Sequence, residues 1–455
     1  MKKIILIGAL ATATSSAFAS SAIASNGMEL KLGGLLYFES GIRVSQSKVP
    51  SDQKNVSANR KKFAFDGEAN FSVTASNKVN DFTYGARIDV KTSTQSKSSA
   101  SYNGSHIFLT SDDYGKLELG SGRSAFETMS MDAFDVAAGC GNWDRYVAST
   151  TGVPVETNPA QNSSGEFTYG AENPRKITYY TPKFRDMVQF GISYTPDTSN
   201  VGIGAMNTDS TAGDLRRSNF GKTADAAAAV PPVLGNVPDV YTQYTDQRTA
   251  KDLISYAVNF SHHIADDTDI QLSISGERSA TTQNGKKKTN LDQNGAYINQ
   301  AIVAAVPAAG GAAVPVNPTD ANSVTTYKLS RYSAWSIGTV LDYGNLSLGT
   351  GYTEKKGFAF KEVDGTCNKE TYYNAGIAYK IGDAKVSFVY SMEKKSRNET
   401  DGYTFGTEYN LAPGLKPYAE FTYFRGSGKK LDLYRDNTVY RTKGTIAVLG
   451  LVVKF

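Results

Sequence analysis

The sequence predicts an all-β fold, a 16-stranded antiparallel transmembrane β-barrel. Three observations lead to this fold class. Apolar and polar residues alternate along segments of about ten residues, the length with which a tilted strand crosses a bilayer. Short and long connections alternate between these segments. The chain also starts with the pattern of an export signal.

The alternation gives each segment one apolar face and one polar face. In the segment 82–92, the first face carries Phe82, Tyr84, Ala86, Ile88 and Val90, and the second carries Thr83, Gly85, Arg87, Asp89 and Lys91. In the last segment the apolar face is Ala447, Leu449, Leu451, Val453 and Phe455. We expect the apolar faces to point outward to lipid and the polar faces to surround an aqueous lumen.

Sixteen segments show this pattern. They lie near residues 28–39, 60–76, 82–92, 103–111, 115–122, 174–182, 187–196, 251–264, 268–280, 326–343, 345–356, 370–381, 384–395, 401–411, 415–426 and 441–455. Long external loops are expected at 123–173, 197–250 and 281–325. A water-soluble sandwich would also alternate. Closure into a barrel is favoured because it removes both sheet edges and satisfies the backbone hydrogen bonds, as a strand in lipid requires.

Residues 1–24 are expected to be a secretory signal peptide, and residues 25–455 the barrel domain. A basic start and a short apolar run precede small residues that allow cleavage after Ala19 or after Ala24, and the second site is preferred. The apolar run is too short to cross a bilayer as a helix. The alternative is an N-terminal anchor that stays in place.

The composition excludes some classes of protein. The 27 tyrosines, 21 phenylalanines and 42 glycines suit strands whose two faces meet different solvents. The formal charge of +4 falls by two when Lys2 and Lys3 are removed, so bulk charge gives no reason to expect nucleic-acid binding. Two cysteines in a long exported chain exclude a small disulfide scaffold.

With these features the chain resembles the general, non-specific porins of Gram-negative outer membranes. The resemblance covers nearly all of the mature chain and rests on the signal peptide, the strand count, the long loop after "GKLELGSGR" (115–123), the segment "NPRKITYYTPKF" (173–184) and the terminal Phe455. It implies a homotrimer in the outer membrane lipid, with the third external loop folded into the lumen. It also implies that the barrel-assembly machinery reads Phe455 as an assembly signal.

The same resemblance implies a constriction with basic wall residues facing acidic loop residues. The inward phase of the strands gives the candidate basic wall as Lys31, Lys62, Arg87 and Lys176, and the third loop supplies Glu127, Asp132, Asp135 and Asp144. Such a transverse field would orient dipolar solutes. Inward acids share the same strands, namely Asp66, Glu68, Asp89 and Glu118. The alternative is therefore a wall of solvated or locally paired charges, with Arg123 anchoring the loop.

The cysteines and histidines suggest no catalytic or metal site. Cys140 and Cys367 both fall on the expected external side, where they form either a disulfide or two free thiols. The adjacent His262 and His263 point to opposite faces of a strand and do not converge on a metal. His106 is the one candidate for a barrel phospholipase, but the sequence shows no partner to orient it. We expect no cofactor and no enzymatic activity.

The sequence therefore predicts a channel for passive diffusion of small hydrophilic solutes and ions. Small inward residues on the seventh, eleventh and fourteenth segments suggest an open lumen; they include Gly191, Ser193, Gly349, Gly351 and Gly406. The alternative is a surface adhesin or host-interaction barrel that acts through its long loops. Two of those loops contain Ala/Val/Pro-rich stretches, at 226–240 and 301–318, for which surface decoration is the favoured interpretation.

Overall fold

The computed structural model describes residues 21–23, 27–46, 63–93, 101–139, 146, 174–197, 219–222, 241–245, 251–279, 284–291, 324–328, 331–356, 369–395, 398–429 and 439–455. In chain order the strands are β1 (Ser21–Ile23), β2 (Glu29–Gln46), β3 (Phe63–Val79), β4 (Phe82–Ser93), β5 (Ser101–Ser111), β6 (Gly115–Ser121), β7 (Arg175–Tyr180), β8 (Val188–Asp197), β9 (Asn219–Lys222), β10 (Tyr241–Thr245), β11 (Lys251–Ala265), β12 (Thr268–Ser279), β13 (Asn284–Leu291), β14 (Val324–Lys328), β15 (Ser333–Tyr343), β16 (Leu346–Lys356), β17 (Lys369–Ile381), β18 (Ala384–Lys395), β19 (Asn398–Tyr409), β20 (Leu415–Lys429) and β21 (Val439–Lys454).

Sixteen of these strands form the predicted closed barrel. The main sheet has 17 strands, but β1 pairs only with β2 and stands outside the closed ring. Each of the other strands pairs antiparallel with its neighbours, and β8 pairs directly with β11, and β12 with β15. The last strand, β21, pairs with the first, β2, from Leu35↔Lys454 to Gln46↔Gly444, which closes the ring. Closure removes the two free edges that an open sheet would expose.

The two faces of the barrel differ as predicted. On β21, Leu449 points outward and is 54% exposed, whereas its neighbour Val448 points inward and is 1% exposed. The outward positions of the other strands carry exposed Leu, Ile, Phe and Tyr side chains, and most inward positions are polar. Side chains alternate along each strand, and pairing in register places the apolar side chains of neighbouring strands on the same face. The whole ring therefore has an apolar outer face and a mostly polar inner face.

A band of aromatic residues crosses six consecutive strands on the outer face. It consists of Trp335, Tyr352, Tyr373, Tyr390, Tyr403 and Tyr423 on β15 to β20. Ring centroids lie 5.0 Å apart for Trp335 and Tyr352, and 5.1 Å apart for Tyr390 and Tyr403. Outer-membrane barrels carry aromatic girdles of this kind at the level where apolar lipid meets polar headgroups.

The two ends of the barrel are distinct, and we call them the short-turn end and the long-loop end. At the short-turn end, β17 and β18 are joined by only Gly382 and Asp383, with Gly382 at φ +58°. A two-residue hairpin turn requires a positive φ, which glycine adopts without strain. At the long-loop end the connections include 122–174 and 198–250.

Two predicted boundaries were wrong. The first barrel strand continues to Gln46 instead of ending at residue 39, and the tenth begins at Ser333 instead of residue 326. Strands β9, β10, β13 and β14, which lie within or at the edge of the predicted long loops, form a separate sheet in the order β14-β13-β10-β9. The β10–β13 pairing joins the two long loops, and sequence periodicity cannot predict a pairing of such distant segments.

The described residues also form a short helix, α1 (Ala125–Met129), and a 3-10 helix, Ala133–Asp135. None of the helices in the described part of the chain is long and apolar enough to cross a membrane.

Candidate channel lumen

Residues 124–139, which we call the inner segment, lie inside the barrel against the inward faces of the strands. They belong to the third long connection of the long-loop end. Four hydrogen bonds trace the path of the inner segment along the wall: Ala125 N to Ser193 Oγ (2.8 Å), Ser273 Oγ to the Met129 carbonyl (2.6 Å), Ala133 N to Asn374 Oδ1 (2.9 Å) and Ala138 N to Ser387 Oγ (2.8 Å). The segment therefore runs around the wall from β8 to β18.

Capping residues and apolar side chains within the inner segment determine its conformation. Ser124 caps α1 by accepting a hydrogen bond from the Glu127 amide, and Asp132 caps the 3-10 helix by accepting from the Phe134 amide at 2.7 Å. The apolar side chains of α1 are buried. Phe126 packs in a cluster with Leu253, Tyr332 and Ala334 of the wall or its rim. The caps satisfy amides that would otherwise be orphaned, and the apolar face fixes the segment to the barrel.

Small wall residues make this close approach possible. A β-carbon at Gly349 would lie 2.9 Å from the Ala133 Cα, and one at Gly338 would overlap with the Met131 carbonyl oxygen. Gly191 and Gly406 meet the inner segment in the same way. The interpretation of Gly191, Gly349 and Gly406 as open lumen was therefore wrong: like Gly338, they allow the inner segment to lie directly on the sheet.

Tyr146 packs inside the barrel against β2, which pairs with β21 to close the ring. It donates a hydrogen bond to Glu39 Oε1 at 3.2 Å, and its ring lies against Gly41. It belongs to an apolar cluster inside the barrel with Tyr37, Tyr418, Phe424, Ile446, Val448 and Val452. The sequence signal for this contact was present in the apolar inward residues of β21, which need a covering group in a wet lumen.

The inward faces of β3 to β6 carry charges of both signs in close pairs. The Arg87 guanidinium lies 2.9 Å from the Asp89 carboxylate, and Lys91 Nζ lies 3.1 Å from Glu68 Oε2. Lys116 Nζ lies 2.6 Å from Glu118 Oε1. The side chains of Arg87 and Asp89 are 34% and 27% exposed, so water reaches them. This arc matches the alternative of locally paired charges instead of a purely basic wall.

The predicted basic residues have different surroundings. Arg87 lines the lumen, but as a partner of Asp89. Lys31 is inward in phase near the short-turn end and lies 3.4 Å from Glu29. Lys176 is only 7% exposed and donates to the Gly122 carbonyl, so it anchors the base of the third connection and does not line the lumen. Lys62 lies outside the described residues.

The predicted acidic residues also have different surroundings and partners. Glu127 pairs with Arg123 at 3.3 Å, which agrees with Arg123 acting at the root of the loop. Asp135 is exposed and accepts a hydrogen bond from the Asp132 amide at 2.8 Å. Asp132 is buried against the wall; burial, and then the charge of Asp135, raises its pKa to about 7. Asp144 lies outside the described residues.

Phe455, which follows the last strand, contacts the first two strands of the barrel, β2 and β3. Its ring centroid lies 5.8 Å from that of Phe71, and its backbone exchanges hydrogen bonds of 2.8 and 3.1 Å with Gly34. Cys140 and Cys367 lie outside the described residues, so the disulfide stays a prediction.

His106 has a neighbour that the sequence did not reveal. Its Nε2 lies 3.7 Å from Glu118 Oε1, beyond hydrogen-bond distance, and Glu118 is already shared with Lys116. His263 pairs with Asp269 at 2.8 Å. Within the described ranges no group of three or more His, Cys, Asp or Glu residues is placed to hold a metal ion.

The chain is similar to several known proteins. The profile of a family described as Gram-negative porin matches residues 8–429. A protein of Rickettsia bellii is 32% identical over 474 residues and one of Rickettsia felis 31% over 475, each covering 100% of both chains. Similar solved structures include a mutant of Rh. blastica porin (12% identity, TM-score 0.46, covering 94% of this chain and 100% of that chain) and OmpT of Vibrio cholerae (11%, 0.49, 95% and 99%).

Proposed function

Because the chain belongs to the Gram-negative porin family, we propose that it forms an outer-membrane channel through which small hydrophilic solutes and ions diffuse passively. One observation carries the proposal: the charged pair of Arg87 and Asp89 inside a closed barrel is about one-third exposed to water. Charged side chains inside a barrel packed solid would be desolvated, which is costly. Their exposure supports a water-filled passage beside the inner segment.

The inner segment narrows this passage and limits its size. Hydrogen bonds to Ser193, Asn374 and Ser387 hold its backbone on the wall, so its position is fixed by many weak contacts. The paired charges on β3 to β6 offer hydrated ions and dipolar solutes partners of both signs. An apolar solute would displace ordered water from these groups without replacing its hydrogen bonds, and is therefore disfavoured.

The proposal also covers export and insertion into the membrane. Export through the signal peptide of residues 1–24 would precede insertion into the outer membrane of a Gram-negative bacterium, with the short-turn end in the periplasm. The aromatic band on β15 to β20 supports a lipid-facing outer surface. The family resemblance supports a homotrimer and recognition of Phe455 by the barrel-assembly machinery. No catalytic activity is part of this proposal.

Purified protein in a planar lipid bilayer tests the proposal. We expect stepwise, ohmic conductance with a measurable reversal potential under a salt gradient. Uptake of small sugars into proteoliposomes should fall steeply with solute size. Protein that inserts as a folded barrel but shows neither steps nor uptake would overturn the proposed channel.

A second candidate function is binding at the cell surface, and one observation favours it. Two of the three long loops pair through β10 and β13 into a four-stranded sheet that is separate from the barrel sheet. Replacing 198–250 and 281–325 by short turns tests this role. If the loops serve only binding, the trimmed barrel keeps its conductance and loses adhesion of whole cells to host surfaces.

A further inference from the structure

The inward face of the barrel carries a row of lysines beside the short-turn end. Lys380 on β17, Lys385 on β18 and Lys416 on β20 are all in inward phase, and Glu408 on β19 lies between the last two. We call these three lysines with Glu408 the lysine row. It holds three positive charges and one negative charge within four consecutive strands.

Two lysines of the row face each other directly. Lys380 and Lys385 are Cα partners in the β17–β18 ladder, and both side chains point into the barrel. Like charges at directly opposed positions are destabilising. Among the described residues, no carboxylate lies within ion-pair distance of the amino group of Lys380 or of Lys385. Lys385 Nζ instead donates to the Ala137 carbonyl at 3.0 Å.

The acid of the row is already engaged. Glu408 Oε1 lies 3.2 Å from Lys416 Nζ, and Glu408 Oε2 accepts a hydrogen bond from the Gly139 amide at 3.2 Å. The nearby Asp342 on β15 faces inward and accepts a hydrogen bond from Ser347. Asp383 lies in the β17–β18 turn, and Lys454 is in inward phase on β21. The four side chains of the row by themselves carry a net charge of +2.

The row lies on the route of a permeating solute. The contacts of Lys385 with Ala137 and of Glu408 with Gly139 place the end of the inner segment directly beside it. Lys380 is exposed and Lys385 is half-buried, so the first amino group meets water. A solute that passes the inner segment toward the short-turn end therefore encounters these charges at the level of the narrowing.

We propose that Lys380 and Lys385, reinforced by Lys416, form a transient binding step for small anions such as chloride, phosphate or a carboxylate, and that the channel therefore prefers anions. This inference rests on the proposed channel function. An anion between the two amino groups relieves their repulsion, and the low-dielectric wall behind them strengthens the local field. The step is transient because water also reaches the site.

Reversal potentials in a tenfold KCl gradient test the inference. We expect wild-type protein to favour chloride, and Lys380→Glu to lower the chloride-to-potassium permeability ratio about sevenfold at 0.1 M salt, since two charge units at roughly 7 Å change the permeability of each ion about threefold in opposite directions. The effect should shrink in 1 M salt, where the screening length is about 3 Å. Lys380→Arg keeps the charge and should keep the ratio.

Lys394→Glu is the matched control, since Lys394 lies on β18 but points outward at the long-loop end. It makes the same charge change away from the lumen and should leave the ratio unchanged. Lys380→Gln, which removes one charge without reversing it, serves as the milder variant if the reversal disturbs assembly. Conductance steps with equal ratios in wild type, Lys380→Glu and Lys380→Gln would overturn the lysine row alone. Absence of steps in wild-type protein would instead overturn the proposed channel.

Discussion

Protonation of Asp132 should control how firmly the inner segment is docked. The carboxyl group is buried, its Oδ2 has no hydrogen-bond partner among the described residues, and the Asp135 carboxylate lies beside it. Burial raises the pKa of the docked carboxyl to about 7, from an ordinary value of 3.8 for a solvated aspartate. The docked state therefore binds the proton more tightly, and docking is favoured at low pH.

The size of the effect follows from the shift. About three pKa units at 1.36 kcal/mol each correspond to about 4 kcal/mol of docking free energy. This stabilisation of the docked segment is complete below about pH 4 and is lost as the pH rises through about 7. Above that value, protonation of Asp132 no longer contributes to docking. Asp132→Asn replaces the carboxyl by a neutral amide that keeps an oxygen for the Phe134 amide, so the pH dependence that comes from Asp132 should disappear. What remains comes from Asp135, whose pKa desolvation inside the barrel also raises.

Hydrogen exchange of the amides in residues 124–139 measures docking directly. After correction for intrinsic rates, protection in the wild type should fall by a factor on the order of 10³ between pH 4 and pH 8. Protection in Asp132→Asn should fall much less than in the wild type, by the part that comes from Asp135, and Glu127→Gln on the same segment should keep the wild-type slope. Equal slopes in wild type and Asp132→Asn, or a level wild type, would refute the role of Asp132.

Two further substitutions and one deletion test the other contacts. Gly338→Val should displace the inner segment and raise single-channel conductance. The added side chain overpacks the contact and should lower the stability of the barrel by about 1–3 kcal/mol. Ile337→Val on the outer face should leave conductance unchanged. Tyr146→Ala should cost about 3–5 kcal/mol by emptying the apolar cluster at the seam, seen as a lower midpoint of thermal unfolding; an unchanged midpoint would contradict that packing. Deleting Phe455 should reduce the folded, heat-modifiable fraction in membranes well beyond the loss of its contact with Phe71, and normal insertion would contradict its role in assembly.

A local pattern predicts on which face a residue lies but not which distant segment covers it. The inward phase of Lys176 was predictable from its neighbours, but its burial under the base of the third connection was not, because that depends on the path of a distant segment. The pairing of Lys91 with Glu68 needs the register between β3 and β4. The glycines at 338 and 349 are as compatible with an open lumen as with a docked backbone until the backbone is placed.

The sequence by itself determined the strands, their number and the side of the barrel on which each residue lies. A period of two is a local property: each side chain is assigned to lipid or lumen by its position in its own strand. Only the tertiary structure decided which lumenal residues are covered, which charges are paired, and that Lys380 and Lys385 stand opposite each other. Those facts depend on register and on the route of the inner segment, and both are set by contacts between residues far apart in the chain.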